Sequence, residues 1–180
     1  CADLVWLKKR NHAFGRMAAI AYIDSAEKLI ASQNTLGEKE RLFRGFDLAA
    51  QIDRKGPLLS DLVGRISAIV QSEELINCSL ATCLDALLRS RIADGPLLHG
   101  IASRQARRIA ANGPNPLWER RFWEIAARFA SQAHSSNGER EAMIEIAKTF
   151  EAEADNVSLH ALKAHFLEYA LHQYRKISGT

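Results

Sequence analysis

Three of the four prolines directly follow a glycine, at Gly56-Pro57, Gly95-Pro96 and Gly113-Pro114, and the fourth closes Asn115-Pro116. Glycine is favoured just past a helix C-terminus and proline in the first turn of the helix that follows, so each pair reads as a helix–helix joint. No proline falls inside an apolar periodic stretch. A chain punctuated in this way folds into helices joined by short turns. Its composition agrees: 28 Ala and 21 Leu stand against 4 Val and 4 Thr, a bias towards helix formers and away from strand formers.

Between the joints the apolar residues recur at helical spacing. A first helix is expected from Asp3 or Asn11 to Ser32, with Met17, Ile20, Ile23, Ala26 and Ile30 on its apolar face. Thr35 with Glu38 three residues later has the capping-box pattern, starting a second helix that runs to about Lys55 along Leu42, Phe46, Ala49 and Ile52. A third opens at Pro57 with Leu58, Leu59, Leu62, Ile66, Ile69 and Val70, and breaks near Ser72. A new stripe follows through Leu75, Ile76, Leu80, Leu84, Leu87 and Leu88. After Asp94-Gly95-Pro96 come Leu97, Leu98, Ile101, Ala102 and Ile109. Asn115 is placed to cap a helix from Pro116 that carries Trp118, Phe122, Ile125, Phe129 and Ala133. His134 to Gly138 reads as a loop. The stretch from Glu139 to Ile177 carries Met143, Ala147, Phe150 and Ala154, then Leu159, Leu162, Phe166 and Tyr174, split at Asp155-Asn156.

The expected fold is therefore all-α: an antiparallel bundle of six to eight helices in a single domain over residues 1–180. The length of 180 residues, with 47% hydrophobic and 25% charged, is that of one globular domain with a sizeable core. The alternative is a short α-solenoid of helical hairpins. Gly56-Pro57-Leu58-Leu59 with Leu62 and Arg65 matches Gly95-Pro96-Leu97-Leu98 with Ile101 and Arg104 at a spacing of 39 residues, which falls within the repeat lengths of helical-hairpin families. A third copy is not visible.

The N-terminus carries three readings. Cys1 suits the lipid-modified first residue of a lipoprotein. Residues 1–7, with Trp6 followed by Lys8, Lys9 and Arg10, suit the end of a membrane helix with its cytoplasmic positive flank. The plainest is that Leu4 to Leu7 begin a packed helix. The longest internal apolar run, Met17 to Ile23, is far short of the about 20 residues that span a bilayer. Cys78 and Cys83, five apart on a helix, point to different faces and cannot bridge each other; no Cys-x-x-Cys occurs. The expected setting is the cytoplasm or the cytoplasmic face of a membrane.

Reaction chemistry has little support. There is no Gly-x-Ser-x-Gly and no Gly-rich phosphate loop. Cys78 and Cys83 lie among leucines, where buried, inert thiols are expected. His165, Glu168 and His172 share a helix face, as metal ligands do. But Ser158, Ala161 and Arg175 continue that stripe opposite Leu159, Leu162 and Phe166, so a solvated face is the simpler reading. Arg128 and His134 have a spacing found by chance in a chain with this many Arg and His. No metal and no cofactor is expected, and no small-molecule substrate is identifiable.

The net charge of +3 conceals an uneven distribution. Between Arg89 and Arg121 there are seven Arg and two acids, Asp94 and Glu119, whereas Glu139 to Asp155 holds six acids and two bases. Arg104, Arg107 and Arg108 share one helix side, and Arg120 and Arg121 follow the next turn beside Trp118 and Trp123. These seven residues are the candidate binding residues. Guanidinium groups bind carboxylate and phosphate bidentately. The patch therefore suits an acidic helix of this chain, a protein partner or second copy, a nucleic acid or an anionic lipid. The expected function is a non-catalytic helical interaction or scaffold module, tethered to a membrane if the N-terminal reading holds. The alternative is a helical protein that binds or processes nucleic acid through Arg104–Arg121.

Overall fold

A computed structural model describes residues 12–52, 56–72, 75–113 and 115–178. The expectations placed on Cys1 to Asn11, on Lys55 and on Pro114 lie outside them. Among the described residues the protein is all-α, with eight helices packed antiparallel and no strand. They are α1 (His12–Ala31), α2 (Glu38–Ile52), α3 (Pro57–Gln71), α4 (Asn77–Ser90), α5 (Gly95–Asn112), α6 (Pro116–Gln132), α7 (Ser136–Asp155) and α8 (His160–Ser178). The chain divides into two compact units, Cys1–Ala93 and Asp94–Thr180.

In the first unit α2 packs against α1, α3 and α4, and α3 packs against α4. Ala18, Ala19, Ile23, Ala26 and Ile30 of α1 are buried, as are Leu42, Phe46, Leu48 and Ala49 of α2. Here the expected apolar face of α1 is corrected: Met17 is 61% exposed and Ile20 is also exposed. The buried stripe runs instead through Ala19, Ile23, Ala26 and Ile30, spaced 4, 3 and 4. The small residues there match a close approach by Gly45 of α2, where an added Cβ would lie 2.7 Å from Ile23 Cδ1 and 3.2 Å from the Ala19 carbonyl oxygen.

The break near Ser72 is present, with α3 ending at Gln71 and α4 starting at Asn77. Leu80, Leu84, Leu87 and Leu88 are buried, whereas Ile76 is exposed just ahead of α4. Leu58 and Leu59 are both buried, but of the matching pair only Leu98 is; Leu97 is exposed. The two Gly-Pro-Leu-Leu segments therefore meet different surroundings.

In the second unit the helices pack in chain order, α5 on α6, α6 on α7 and α7 on α8. Each of the first three begins at a polar cap. The Leu97 N–H donates to Asp94 Oδ1 (3.1 Å), the Trp118 N–H to Asn115 Oδ1 (3.2 Å) and the Gly138 N–H to Ser135 Oγ (3.4 Å). Asn115 is thus the cap the sequence indicates. The expected loop through Gly138 is shorter, because Ser135 starts α7 at Ser136. Phe122, Trp123, Ile125, Ala126, Phe129 and Ala130 of α6 are all buried in this core. Leu159 and Leu162, expected in the core, are exposed. Helix α8 buries one hydrophobic residue, Ala170.

Candidate interaction surface

The candidate basic residues lie on α5 and α6, where short turns set neighbouring helices side by side. Arg104, Arg107 and Arg108 are exposed on α5, and Trp118, Arg120 and Arg121 are half-buried on α6. Trp123 departs from this set. It is 1% exposed, and its indole N–H donates to Glu119. On α6 it follows Phe122 and precedes Ile125 on the inward side, so the proposed place of Trp123 on a contact surface is corrected to the core. Trp118 lies 6.2 Å from the Phe122 ring, tilted at 32°.

The acidic helix takes up much of the positive charge. Arg107 Nη2 donates to Glu141 Oε1 at 2.5 Å, with the guanidinium 5.5 Å from the Trp123 ring centroid. Arg120 donates through Nη1 to Glu153 Oε2 and lies 4.2 Å over the Phe150 ring. Arg121 reaches Glu124 on its own helix at 3.4 Å. The Arg107–Glu141 side chains are 60% and 47% exposed, those of Arg120 and Glu153 only 14% and 18%. The first is a surface pair screened by water, the second a partly desolvated pair in which loss of either partner strands a charge. Glu119, on the same side of α6, has its carboxyl pushed upward by burial and by the nearby Glu145.

Several large apolar side chains are also exposed in this unit. Leu117 of α6 and Leu159, Leu162, Leu167, Tyr169 and Leu171 in or beside α8 are exposed. Leu167 and Leu171, four residues apart, share one helix face. His165 stands edge-on to Tyr169 at 4.7 Å. His165, Glu168 and His172 are solvent-facing, and no group of three His, Cys, Asp or Glu among the described residues could hold a metal. His134 occupies the turn after α6 in a left-handed conformation (φ 54°), and Arg128 is exposed six residues earlier, on α6.

The first unit holds a polar cluster that its sequence pattern concealed. Glu38 is 1% exposed. Its carboxyl accepts the Ser79 hydroxyl at 3.0 Å and the Thr82 hydroxyl, while Oε1 has no hydrogen-bond partner. This corrects the capping-box reading of Thr35 and Glu38. Helix α2 begins at Glu38 itself, after Gly37 at φ +80°, and the carboxyl turns across to α4. Burial raises the Glu38 pKa, opposed by its two hydroxyl donors. Burial and then the Glu38 charge push the adjacent Cys83 thiol up to about 12. Cys83 is the inert buried thiol expected, whereas Cys78 is exposed and its expected burial is corrected.

No helix among the described residues is long and apolar enough to cross a membrane. Residues 1–61 match the model of a family described as Domain of unknown function (DUF7380). Of the described structure this covers α1, α2 and the first residues of α3. No curated protein matches the chain, and no solved structure does.

Proposed function

We propose that this chain is a non-catalytic helical interaction module whose ligand is protein, either a partner chain or a second copy of itself. The observation that carries the reading is α8. This helix packs against α7, yet it leaves Leu167 and Leu171 (44% and 48% exposed) together on one outward face. Contiguous exposed apolar residues rimmed by polar ones mark contact surfaces. The charges of Arg107 and Arg120 are already matched by Glu141 and Glu153. That pairing weakens the case for phosphate binding through Arg104–Arg121.

The test is sedimentation of the full chain over a concentration series, with affinity purification of the same chain followed by quantitative mass spectrometry. Both are repeated on the Leu167→Lys, Leu171→Lys double variant. Self-association, or a retained protein, that is lost from the double variant supports the reading. Absence of both overturns it. Steep salt-dependent binding to generic RNA or duplex DNA at about 50 mM salt would favour the nucleic-acid alternative instead.

A further inference from the structure

A cavity of about 210 Å³ opens in the first unit among α1, α3 and the start of α4, lined by Glu27, Ile30, Ala31, Gln33, Ile69, Ser72, Leu75, Ile76 and Ser79. Ile30, Ile69, Leu75 and Ile76 make its apolar wall. Its polar groups have an unusual common property. The Ser72 hydroxyl donates its proton to the Ile69 carbonyl at 2.7 Å, and the Ser79 hydroxyl donates its proton to Glu38 at 3.0 Å. Each hydroxyl has one proton, so neither lining serine has a donor to spare, and each oxygen keeps acceptor capacity. Glu27 is a carboxylate and accepts only. Among the described polar lining residues, Gln33 alone has a side-chain donor to spare.

The charge points the same way. Arg65 donates to Glu27 through Nε at 2.9 Å and Nη2 at 2.5 Å, and to Asp24 through Nη2 at 2.6 Å. One guanidinium therefore serves two carboxylates, and the triad keeps a net negative charge at the cavity edge. Behind Ser79 lies Glu38, buried and with one oxygen unpartnered.

We infer that this cavity is a binding site for a small amphipathic cation, an amine carried on a short apolar body. The ammonium N–H groups would be shared between Glu27 and the two serine oxygens, and the body would lie against Ile30, Ile69, Leu75 and Ile76. The volume suits a ligand somewhat larger than benzene, which occupies an apolar cavity of about 150 Å³. The site is separate from the interaction surface proposed on α8, and neither depends on the other.

The probe is 2-phenylethylamine, titrated into the full chain by calorimetry and by amide chemical-shift mapping. Phenylacetate and 2-phenylethanol serve as anionic and neutral probes of similar shape. The expected result is saturable binding of the amine, about tenfold or more tighter than phenylacetate, with shifts confined to α1, α3 and the start of α4. Ala31→Phe, at an exposed position on the end of α1, fills the mouth and abolishes binding of all three probes. Glu27→Gln weakens the amine several-fold and leaves 2-phenylethanol unchanged. The inference is overturned by absence of saturable amine binding at millimolar concentration. Equal binding of phenylacetate, shifts elsewhere in the chain, or an unaltered amine affinity in folded Glu27→Gln would overturn it too.

Discussion

Ser79 donates its hydroxyl proton to the buried carboxyl of Glu38 across 3.0 Å, joining the first turn of α4 to the first residue of α2. The contact links residues 41 positions apart in sequence. It places an ionisable group in the protein interior, where the charged form is disfavoured.

Because burial raises the Glu38 pKa in the folded state, the folded chain binds this proton more tightly than the unfolded chain. The stability that protonated Glu38 contributes is present in full below the unfolded carboxylate value. It is lost as pH rises through the raised folded value. Glu38→Gln keeps an acceptor oxygen for Ser79 and Thr82 and removes the ionisation. Urea unfolding should show this variant more stable than the parent near neutral pH, on the order of 1 kcal/mol, with the advantage shrinking in acid. An advantage independent of pH would contradict the assignment.

Gly45→Ala should destabilise the first unit by about 1–3 kcal/mol, as overpacking does. The new methyl would meet Ile23 Cδ1 and Cγ1 at 2.7 and 2.8 Å and the Ala19 carbonyl oxygen at 3.2 Å. Ile23 is fully buried and has little space to retreat. By contrast Gly64→Ala, on the exposed side of α3 with nothing within 4 Å, should be neutral or stabilising. Denaturant midpoints of the two variants make the comparison.

The two cross-helix Arg–Glu pairs of the second unit should separate by exposure. A double-mutant cycle on Arg120 and Glu153 should give a coupling of about 1–3 kcal/mol. A cycle on Arg107 and Glu141 should give less than about 1 kcal/mol and fade with added salt. Phe150 beneath Arg120 adds a cation–π contact that the single Arg120→Ala variant also removes. Equal couplings would show that burial is not what distinguishes them.

Asn115→Ala should cost about 1 kcal/mol, because its Oδ1 satisfies the Trp118 N–H at the start of α6. Replacement by Asp or Ser should restore most of the loss in thermal unfolding. Failure of both replacements would assign Asn115 another role.

Peptide-resolved alkylation should modify Cys78 in the native chain and Cys83 only after unfolding. Cys83 is fully buried and its thiol is held at about 12, whereas Cys78 is exposed. The reactive species is the thiolate, so the contrast should persist to mildly alkaline pH.

Much of the fold was legible because its signals are local. Gly-Pro joints stop and start helices through backbone geometry alone, and Asn115 caps α6 from three residues away. Of the candidate site, the opposition of a basic segment and an acidic helix was legible as charge. The partners were not, since Arg107 meets Glu141 and Arg120 meets Glu153 only once α5 and α6 lie beside α7. Trp123 reads as a surface aromatic because it closely follows Arg120 and Arg121, yet it stands two residues past Arg121, a rotation of about 200° on a helix, enough to carry it inward.

By itself, then, the amino-acid order determined an all-α chain, the positions of its joints and most of its buried leucines. Tertiary structure decided which of two adjacent apolar flanks is covered. Met17, Ile20 and Leu97 are exposed while Ala19, Ile23 and Leu98 are buried. Periodicity defines a face relative to its own helix axis, but burial depends on a neighbour contributed from elsewhere in the chain. The same holds for the buried Glu38, set against Ser79 by the packing of α2 on α4, and for the cavity beside Ser79, where α1, α3 and α4 bring distant residues together.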